Sequence, residues 1–288
     1  MNKLPTYVTE EKLNWFIETA LKEDVETGDH TSLATVSATG RSHAVLKVKD
    51  EGILAGLEIA RRIFAKTDPT AVVDFHKKDG DPAVFGEIAF EVEGNTRALL
   101  TAERLVLNTM QRMSGIATLS GRFAAEVAHL PVKILDTRKT TPLVRFYEKW
   151  AVKIGGCENY RFGLFDWIMI KDNHVEAAGG VREAIENVHN YLKTNGLNLG
   201  ITVEVRNLDE LREALAIGGF TRLMLDNFEL STLGKGVSMV GKRFETEASG
   251  GVTLGTVRKI AETGVGFISA GALTHSAKPL DLSLKIVK

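Results

Sequence analysis

Six short apolar runs in the second half of this chain, VKILDT, WIMIK, ITVEV, RLMLD, RFETEAS and GFISAG, alternate with amphipathic helical stretches. No other feature limits the fold as strictly. Strands that recur with helices between them form parallel sheets joined by crossovers, and intervals of roughly 22 to 35 residues are each long enough for such a connection. A barrel and an open doubly wound sheet both satisfy the alternation. The polar residues separate the two, because each run ends in a side chain able to do chemistry. These are Asp136 followed by Arg138 and Lys139, then Lys171, Glu204, Asp226, Ser249 with two glycines, and Gly271. The carboxyl ends of all strands in a parallel barrel open onto one face, where active sites sit, whereas an open sheet gathers ligands at one switch point. A single charged residue at a strand end ordinarily marks where the chain meets solvent. Six in register favour a barrel with one convergent pocket.

The first half reads differently, and the change falls near residue 115. Leu13, Phe16, Ile17, Ala20 and Leu21 repeat at helical spacing between Glu10 and Lys22. Short alternating segments follow, AVLKVKD, VVDFHKKDG and EIAFEVEG, with turn signals at Asp79-Gly80 and Gly94-Asn95. They predict a small, mostly antiparallel sheet. From about Thr101 to Phe123, Leu105, Leu107, Met110, Met113 and Ile116 return to helical spacing and predict a helix that bridges the halves, carrying Glu103, Arg104 and Asn108. The expected division is a first domain over 1–114 with this helix and a barrel domain over 115–288, whose last segment returns to the first.

A chain of 288 residues, 44% hydrophobic and 25% charged, can bury a large core in one or two domains. Its formal net charge of -1 gives no long-range field toward nucleic acid or an anionic membrane. Attraction for anions must therefore be local. The start, MNKLPTYVTEEKLNWF, lacks an apolar core of signal-peptide length, and no segment approaches a bilayer span. A lone cysteine, Cys157, excludes an internal disulfide and a cysteine-rich metal site and fits a reducing compartment. The expectation is a cytoplasmic protein without nucleic-acid or membrane partners.

Arg138 and Lys139 in ILDTRKTTP pair a planar guanidinium fork with a flexible ammonium just after a strand, which suits an anionic ligand. Arg161 follows a Gly155-Gly156 pair that lets backbone turn sharply. Lys171 in WIMIKDNHV fits either a Schiff-base lysine, as in barrel aldolases, or a ligand of a substrate with several negative charges. Glu204 and Asp226 lie in strand-like runs where a carboxylate needs a partner, and together they could hold magnesium, directly or through water, or ribose hydroxyls. Ser249, Gly250 and Gly251 precede a helix, so backbone amides and the helix start could face a phosphate; ISAGALTHS repeats the arrangement with Gly271, Thr274 and His275. Cys157 reads as a loop thiol, and no Walker loop, GxGxxG, HExxH or CxxC occurs.

Taken together, LKEDVETGDHT, AERLVLNTMQRMSGIAT, ILDTRKTTP, IKDNHV, EASGGV and ISAGALTHS resemble the quinolinate phosphoribosyltransferase family, also called nicotinate-nucleotide pyrophosphorylase (carboxylating). The likeness runs in order from about Leu21 to Lys285, with DTRKT and IKDNH its most specific parts. It implies a small N-terminal α+β sheet domain and an incomplete (β/α) barrel of the type II phosphoribosyltransferases. It also implies a homodimer with the active site at the interface, magnesium, and no organic cofactor. The implied reaction joins quinolinate to 5-phosphoribosyl 1-diphosphate with loss of carbon dioxide, a step of NAD biosynthesis.

Carried onto this chain, the resemblance makes Arg138, Arg161 and Lys171 ligands of quinolinate, with Arg104 reaching across from the neighbouring subunit. Lys139 would face diphosphate, and Glu204 and Asp226 would hold ribose hydroxyls and magnesium. Ser249, Gly250, Gly251, Gly271 and His275 would cradle the 5-phosphate. The catalytic set is Lys139, Lys171, Glu204 and Asp226. Tyr160 stands where the family usually has a histidine; a tyrosine at a substrate-binding position can donate a hydrogen bond but carries no positive charge near neutral pH. Two other readings remain: a divergent paralogue that only binds small polyanions, and a Schiff-base lyase using Lys171.

Overall fold

A computed structural model describes residues 4–287; Met1 to Lys3 and Lys288, the extreme ends of the two expected domains, lie outside the described residues. The chain forms two compact units, one of residues 1–121, 140–156 and 274–288, the other of 122–139 and 157–273.

The first unit opens with a helix, Glu10–Val25, whose N-cap Thr9 accepts a hydrogen bond from Lys12 N and which buries Leu13, Phe16 and Ile17. Its strands are β1 (Arg41–Val48), β2 (Gly52–Ile53), β3 (Val72–Phe75), β4 (Pro82–Ala83) and β5 (Ile88–Asn95). A helix over Leu57–Thr67 between β2 and β3 goes beyond the sequence reading. Leu57, Ile59, Ala60, Ile63 and Phe64 form its buried stripe, while Arg61 and Arg62 on the other side pair with Glu58. Gly94-Asn95 is no turn. Both residues pair with β1, and the Asp68 carboxylate accepts Asn95 N at 2.7 Å, which carries the strand to the start of the next helix. That helix, Thr96–Glu126, is longer than its spacing predicts.

The second unit supplies β6 (Lys133–Leu135), β7 (Ile168–Ile170), β8 (Ile201–Val205), β9 (Arg222–Asp226), β10 (Glu245–Ser249) and β11 (Phe267–Ser269). All six runs expected as strands are strands. They pair in parallel in the order β6-β11-β10-β9-β8-β7. Five consecutive strands are neighbours, β6 closes on the far side against β11, and β6 and β7 do not pair. The result is a barrel-like parallel sheet with helices, open between its first two strands.

The last strand, β12 (Leu282–Val287), belongs to the first unit and pairs antiparallel with β1, giving a four-stranded sheet of order β12-β1-β5-β3. This arrangement differs from a single cut near residue 115. The division falls inside the helix Thr96–Glu126, after Gly121, and Thr140–Gly156 joins the first unit. Aromatic packing explains the second point: in the helix Arg145–Ile154, Phe146 and Tyr147 meet Phe16 edge-on, with ring centroids 5.8 and 5.4 Å away. Gly115 explains how the terminal segment docks, because a Cβ there would lie 2.0 Å from the Lys278 carbonyl oxygen.

Candidate active site

Register sorts the barrel strands into two faces. Thr202, Glu204, Arg222, Met224, Asp226, Glu245, Glu247, Ser249, Phe267 and Ser269 share one, as the pairings Thr202↔Arg222, Glu204↔Met224, Ser249↔Asp226 and Glu247↔Phe267 show. Val203, Val205, Leu223, Leu225, Ala248 and Ile268 share the other and are buried. The apolar face takes the helices and the polar face lines the interior. Glu204 and Asp226 lie toward the carboxyl ends of β8 and β9, and Ser249 ends β10 beside Asp226.

At this rim Lys171 and Glu204 form an ion pair, Nζ to Oε2 3.2 Å, in which the carboxylate is buried and the lysine half-exposed. Burial raises the Glu204 carboxyl above its ordinary range; Lys171 opposes that, and Asp226 and Asp172 reinforce it. Asp226 accepts from Ser249 Oγ at 2.5 Å and from Asn227 Nδ2 at 2.7 Å. The loop after β10 is built for close approach: a Cβ on Gly250, at φ +93, would lie 2.1 Å from Asn227 Oδ1. Lys171 also begins the helix Asp172–Ala178, where its backbone N donates to His174 Nδ1 at 3.0 Å. A hollow of about 210 Å³, lined by Asp172, Val181, Glu204 and Arg206 among others, opens beside the pair.

Arg138 and Lys139 follow β6 and are exposed. Arg161 is half-buried, its Nη1 donating to the Trp167 carbonyl at 3.2 Å. Burial, and next the charge of Arg138, lower the Arg161 guanidinium below its ordinary value. A bound anion would lower the cost that burial and the charge of Arg138 set on the Arg161 cation. Buried Asp136 builds this region: it accepts Tyr160 N at 2.8 Å and Asn159 Nδ2 at 2.7 Å, so it clamps the loop. Asp166 does likewise, accepting from Phe162 N and Gly163 N.

Several residues have surroundings that the sequence did not show. Tyr160 sends its hydroxyl to Thr202 Oγ1 at 2.6 Å on the interior face of β8. It belongs to a polar barrel core in which Arg222 pairs with Glu247 at 3.2 Å and Glu245 at 2.8 Å, Ser269 Oγ bonds Glu247, and the Phe267 ring lies 3.7 Å from the guanidinium carbon. Neither Arg222 nor Glu247 was singled out in the sequence. The signal available was the same as for Glu204, a charged residue inside a strand at inward parity. The helix after Ser249-Gly250-Gly251 starts only at Val257 and runs five residues, so no helix start sits on those glycines; a turn in which Thr256 Oγ1 accepts Thr253 N intervenes. Gly271 precedes the short helix Ala272–His275 directly. Arg104 is exposed on the helix Thr96–Glu126, and His275 is exposed, in the first unit. Cys157 is buried, and burial pushes its thiol up to about 12, which leaves it unreactive.

A barrel-like parallel sheet with a cationic and carboxylate rim, joined to a small sheet domain, defines the chain as a transferase of the phosphoribosyl type. Residues 29–114 match the family description "Quinolinate phosphoribosyl transferase, N-terminal domain" and residues 116–285 the corresponding "C-terminal domain". The chain belongs to the quinolinate phosphoribosyl transferase family. It is 48% identical to quinolinate phosphoribosyltransferase [decarboxylating] 2, mitochondrial, of Nicotiana glauca, over 98% of this chain and 83% of that one. To the chloroplastic nicotinate-nucleotide pyrophosphorylase [carboxylating] of Arabidopsis thaliana it is 46% identical, over 98% and 84%. The crystal structure of NadC from Streptococcus pyogenes superposes with a TM-score of 0.91 at 35% identity, covering 99% of this chain and 100% of that one. Among the described residues no helix is long and apolar enough to cross a membrane.

Proposed function

We propose that this chain transfers the phosphoribosyl group of 5-phosphoribosyl 1-diphosphate to the ring nitrogen of quinolinate, releasing diphosphate and carbon dioxide and leaving nicotinate mononucleotide. The observation that carries the reading is the Lys171–Glu204 ion pair beside Asp226 at the carboxyl ends of the strands, and the like charge that Arg138 sets against half-buried Arg161 adds support. A dicarboxylate answers the paired guanidiniums, and a polyphosphorylated sugar answers lysines beside carboxylates. The ring nitrogen forms a bond to the anomeric carbon as the bond to diphosphate breaks, the departing electrons going to diphosphate. The alkylated ring then takes the electron pair of the C2–carboxylate bond as carbon dioxide leaves, and a proton replaces it. The protein's part is to position both substrates and to balance charge.

Arg138, Arg161 and Lys171 are assigned to quinolinate and Lys139 to diphosphate. Glu204 and Asp226 are assigned to the ribose hydroxyls, and Ser249, Gly250, Gly251, Gly271 and His275 to the 5-phosphate. Magnesium is tested by the donor set: no cluster of three or more acidic, histidine or cysteine side chains occurs among the described residues, but two rim carboxylates do. That fits an ion shared with substrate oxygens, because magnesium is usually held by one or two carboxylates and the substrate's phosphates. Glu204 and Asp226 would hold it, and it would neutralise charge on diphosphate.

Exposed Arg104 supports a homodimer in which Arg104 of the partner subunit completes the quinolinate site. The buried single cysteine is consistent with a reducing, cytoplasmic setting. The Schiff-base reading is disfavoured by the contact of Lys171 Nζ with Glu204 Oε2 at 3.2 Å, which occupies the nitrogen. The test is a product assay with quinolinate, phosphoribosyl diphosphate and magnesium. Equimolar carbon dioxide and nucleotide are expected; quinolinate binding without product would make the chain a binding protein, and borohydride trapping at Lys171 would make it a lyase.

A further inference from the structure

Thr202 is completely buried, and two neighbours share its hydroxyl: Tyr160 Oη at 2.6 Å and Trp167 Nε1 at 2.9 Å. A threonine hydroxyl offers one donor and two acceptor sites, so both bonds can be satisfied together. The Trp167 backbone carbonyl then receives Arg161 Nη1 at 3.2 Å. Tyr160 and Arg161 are adjacent in the chain, so the contacts close a circuit from Tyr160 through Thr202 and Trp167 to Arg161 and back along the backbone. Asp136 ties the same backbone to the end of β6 by accepting Tyr160 N. Beneath the circuit lies a hollow of about 360 Å³ lined by Tyr160, Arg161, Trp167, Arg222 and Phe267 among others. Its wall holds the first residues of three strands, Lys133, Arg222 and Phe267, and the last residue of β6, Leu135.

We propose that Tyr160 is a positioning residue for Arg161: its hydroxyl, held on Thr202 inside the barrel, fixes Trp167 and so presents the Arg161 guanidinium preformed to a dicarboxylate. The inference rests on the proposed reaction and deepens it, since it assigns affinity for the dicarboxylate to a contact the substrate does not make. A long side chain held in its bound rotamer loses less entropy on binding, and arginine has many rotamers to lose. An imidazole at residue 160 would be shorter than the phenol and would not span to Thr202 in the same way, and when protonated it would place a second cation beside Arg222.

Steady-state kinetics of Tyr160→Phe, Thr202→Val and the double variant test this. Losing one net hydrogen bond from the circuit should raise KM for quinolinate roughly three- to tenfold, with kcat and KM for phosphoribosyl diphosphate within about twofold of wild type. The double variant should fall short of the product of the two single effects, because both break the Tyr160–Thr202 link, although Thr202→Val also releases Trp167 and Tyr160→Phe also takes a hydroxyl from Glu247. Trp167→Phe should shift quinolinate KM the same way, and Thr202→Ser, which keeps the hydroxyl, should behave as wild type and covers the case in which valine disturbs folding. A Tyr160→Phe loss with Thr202→Val unchanged would overturn the proposal by making the phenol a direct ligand. Parallel rises in both KM values would overturn it as general loosening, and so would unchanged quinolinate KM in every variant of an active enzyme. A wild-type chain that neither binds nor converts quinolinate would overturn the proposed reaction and this inference with it.

Discussion

The two ends of the barrel interior handle charge in opposite ways. Toward the amino-terminal ends of the strands, Arg222 is sandwiched by aromatic rings and paired with two glutamates, and Glu247 is bonded by Ser269 and Arg222 in full burial. Beyond β6, Arg161 sits half-buried against the like charge of Arg138, and at the carboxyl ends of β7 and β8 burial raises the Glu204 carboxyl while a half-exposed lysine opposes it only in part. One end is electrostatically complete and the other is not. Functional sites often carry the second arrangement, and the contrast is the ground on which the proposed site is placed at the rim.

The contrast can be broken most forcefully in the interior. Arg222→Met should destabilise the protein by about 3 to 5 kcal/mol in urea unfolding near neutral pH, because it strands buried Glu247. Burial raises the Glu247 carboxyl, so folding favours its protonated form and the loss should shrink as pH falls. A loss independent of pH would mean that packing, not charge, holds this end together. At the rim the same kind of deletion should spare stability and remove activity. Arg138→Ala should lower kcat/KM for quinolinate roughly ten- to a hundredfold, as expected for a hydrogen bond to a charged group worth about 1.5 to 3 kcal/mol, with a melting temperature near that of wild type. Unchanged kinetics would remove Arg138 from the site. Mixing inactive Arg104→Ala and Lys171→Ala proteins should restore activity if the site is completed across a dimer, and no recovery under subunit exchange would count against it.

A smaller effect comes from a carboxylate in the first unit. Asp79 accepts Leu57 N at 3.0 Å, and burial pushes its carboxyl up to about 6 from an ordinary 3.8. A raised value means that the folded protein holds the proton more tightly than the unfolded chain. Its stabilising share is therefore complete below about pH 4 and is lost as pH rises through about 6. Asp79→Asn should gain about 1 to 2 kcal/mol at pH 8, after weaker bonds from the backbone amides are allowed for, and nothing at pH 4. The smallest expected signal is at Cys157, which should resist alkylation in the native state and react only on unfolding.

Strands and rim were legible for one reason. Period-two alternation puts Val203, Val205, Leu223 and Leu225 on one face, so any polar residue at the other parity near a strand's end must point into the mouth. The same rule would have found Arg222 and Glu247, but their positions at the start and middle of strands did not resemble a functional pattern. The helix Leu57–Thr67 escaped because it is short and lies among segments read as strands, although its apolar residues keep helical spacing around Arg61 and Arg62. The Tyr160 contact was not legible because sequence shows a phenol beside an arginine and not the threonine, 42 residues away, that its hydroxyl meets. Assignment of Thr140–Gly156 to the first unit depended on Phe16, a partner that no local pattern in that segment identifies.

Arg161 bears a cost from burial and from the charge of Arg138 that a dicarboxylate would remove. Titration calorimetry of quinolinate into wild-type protein and into Arg161→Ala measures it directly. The account predicts binding to the wild type and at least about tenfold weaker binding to the variant; equal affinity for the two proteins would contradict it.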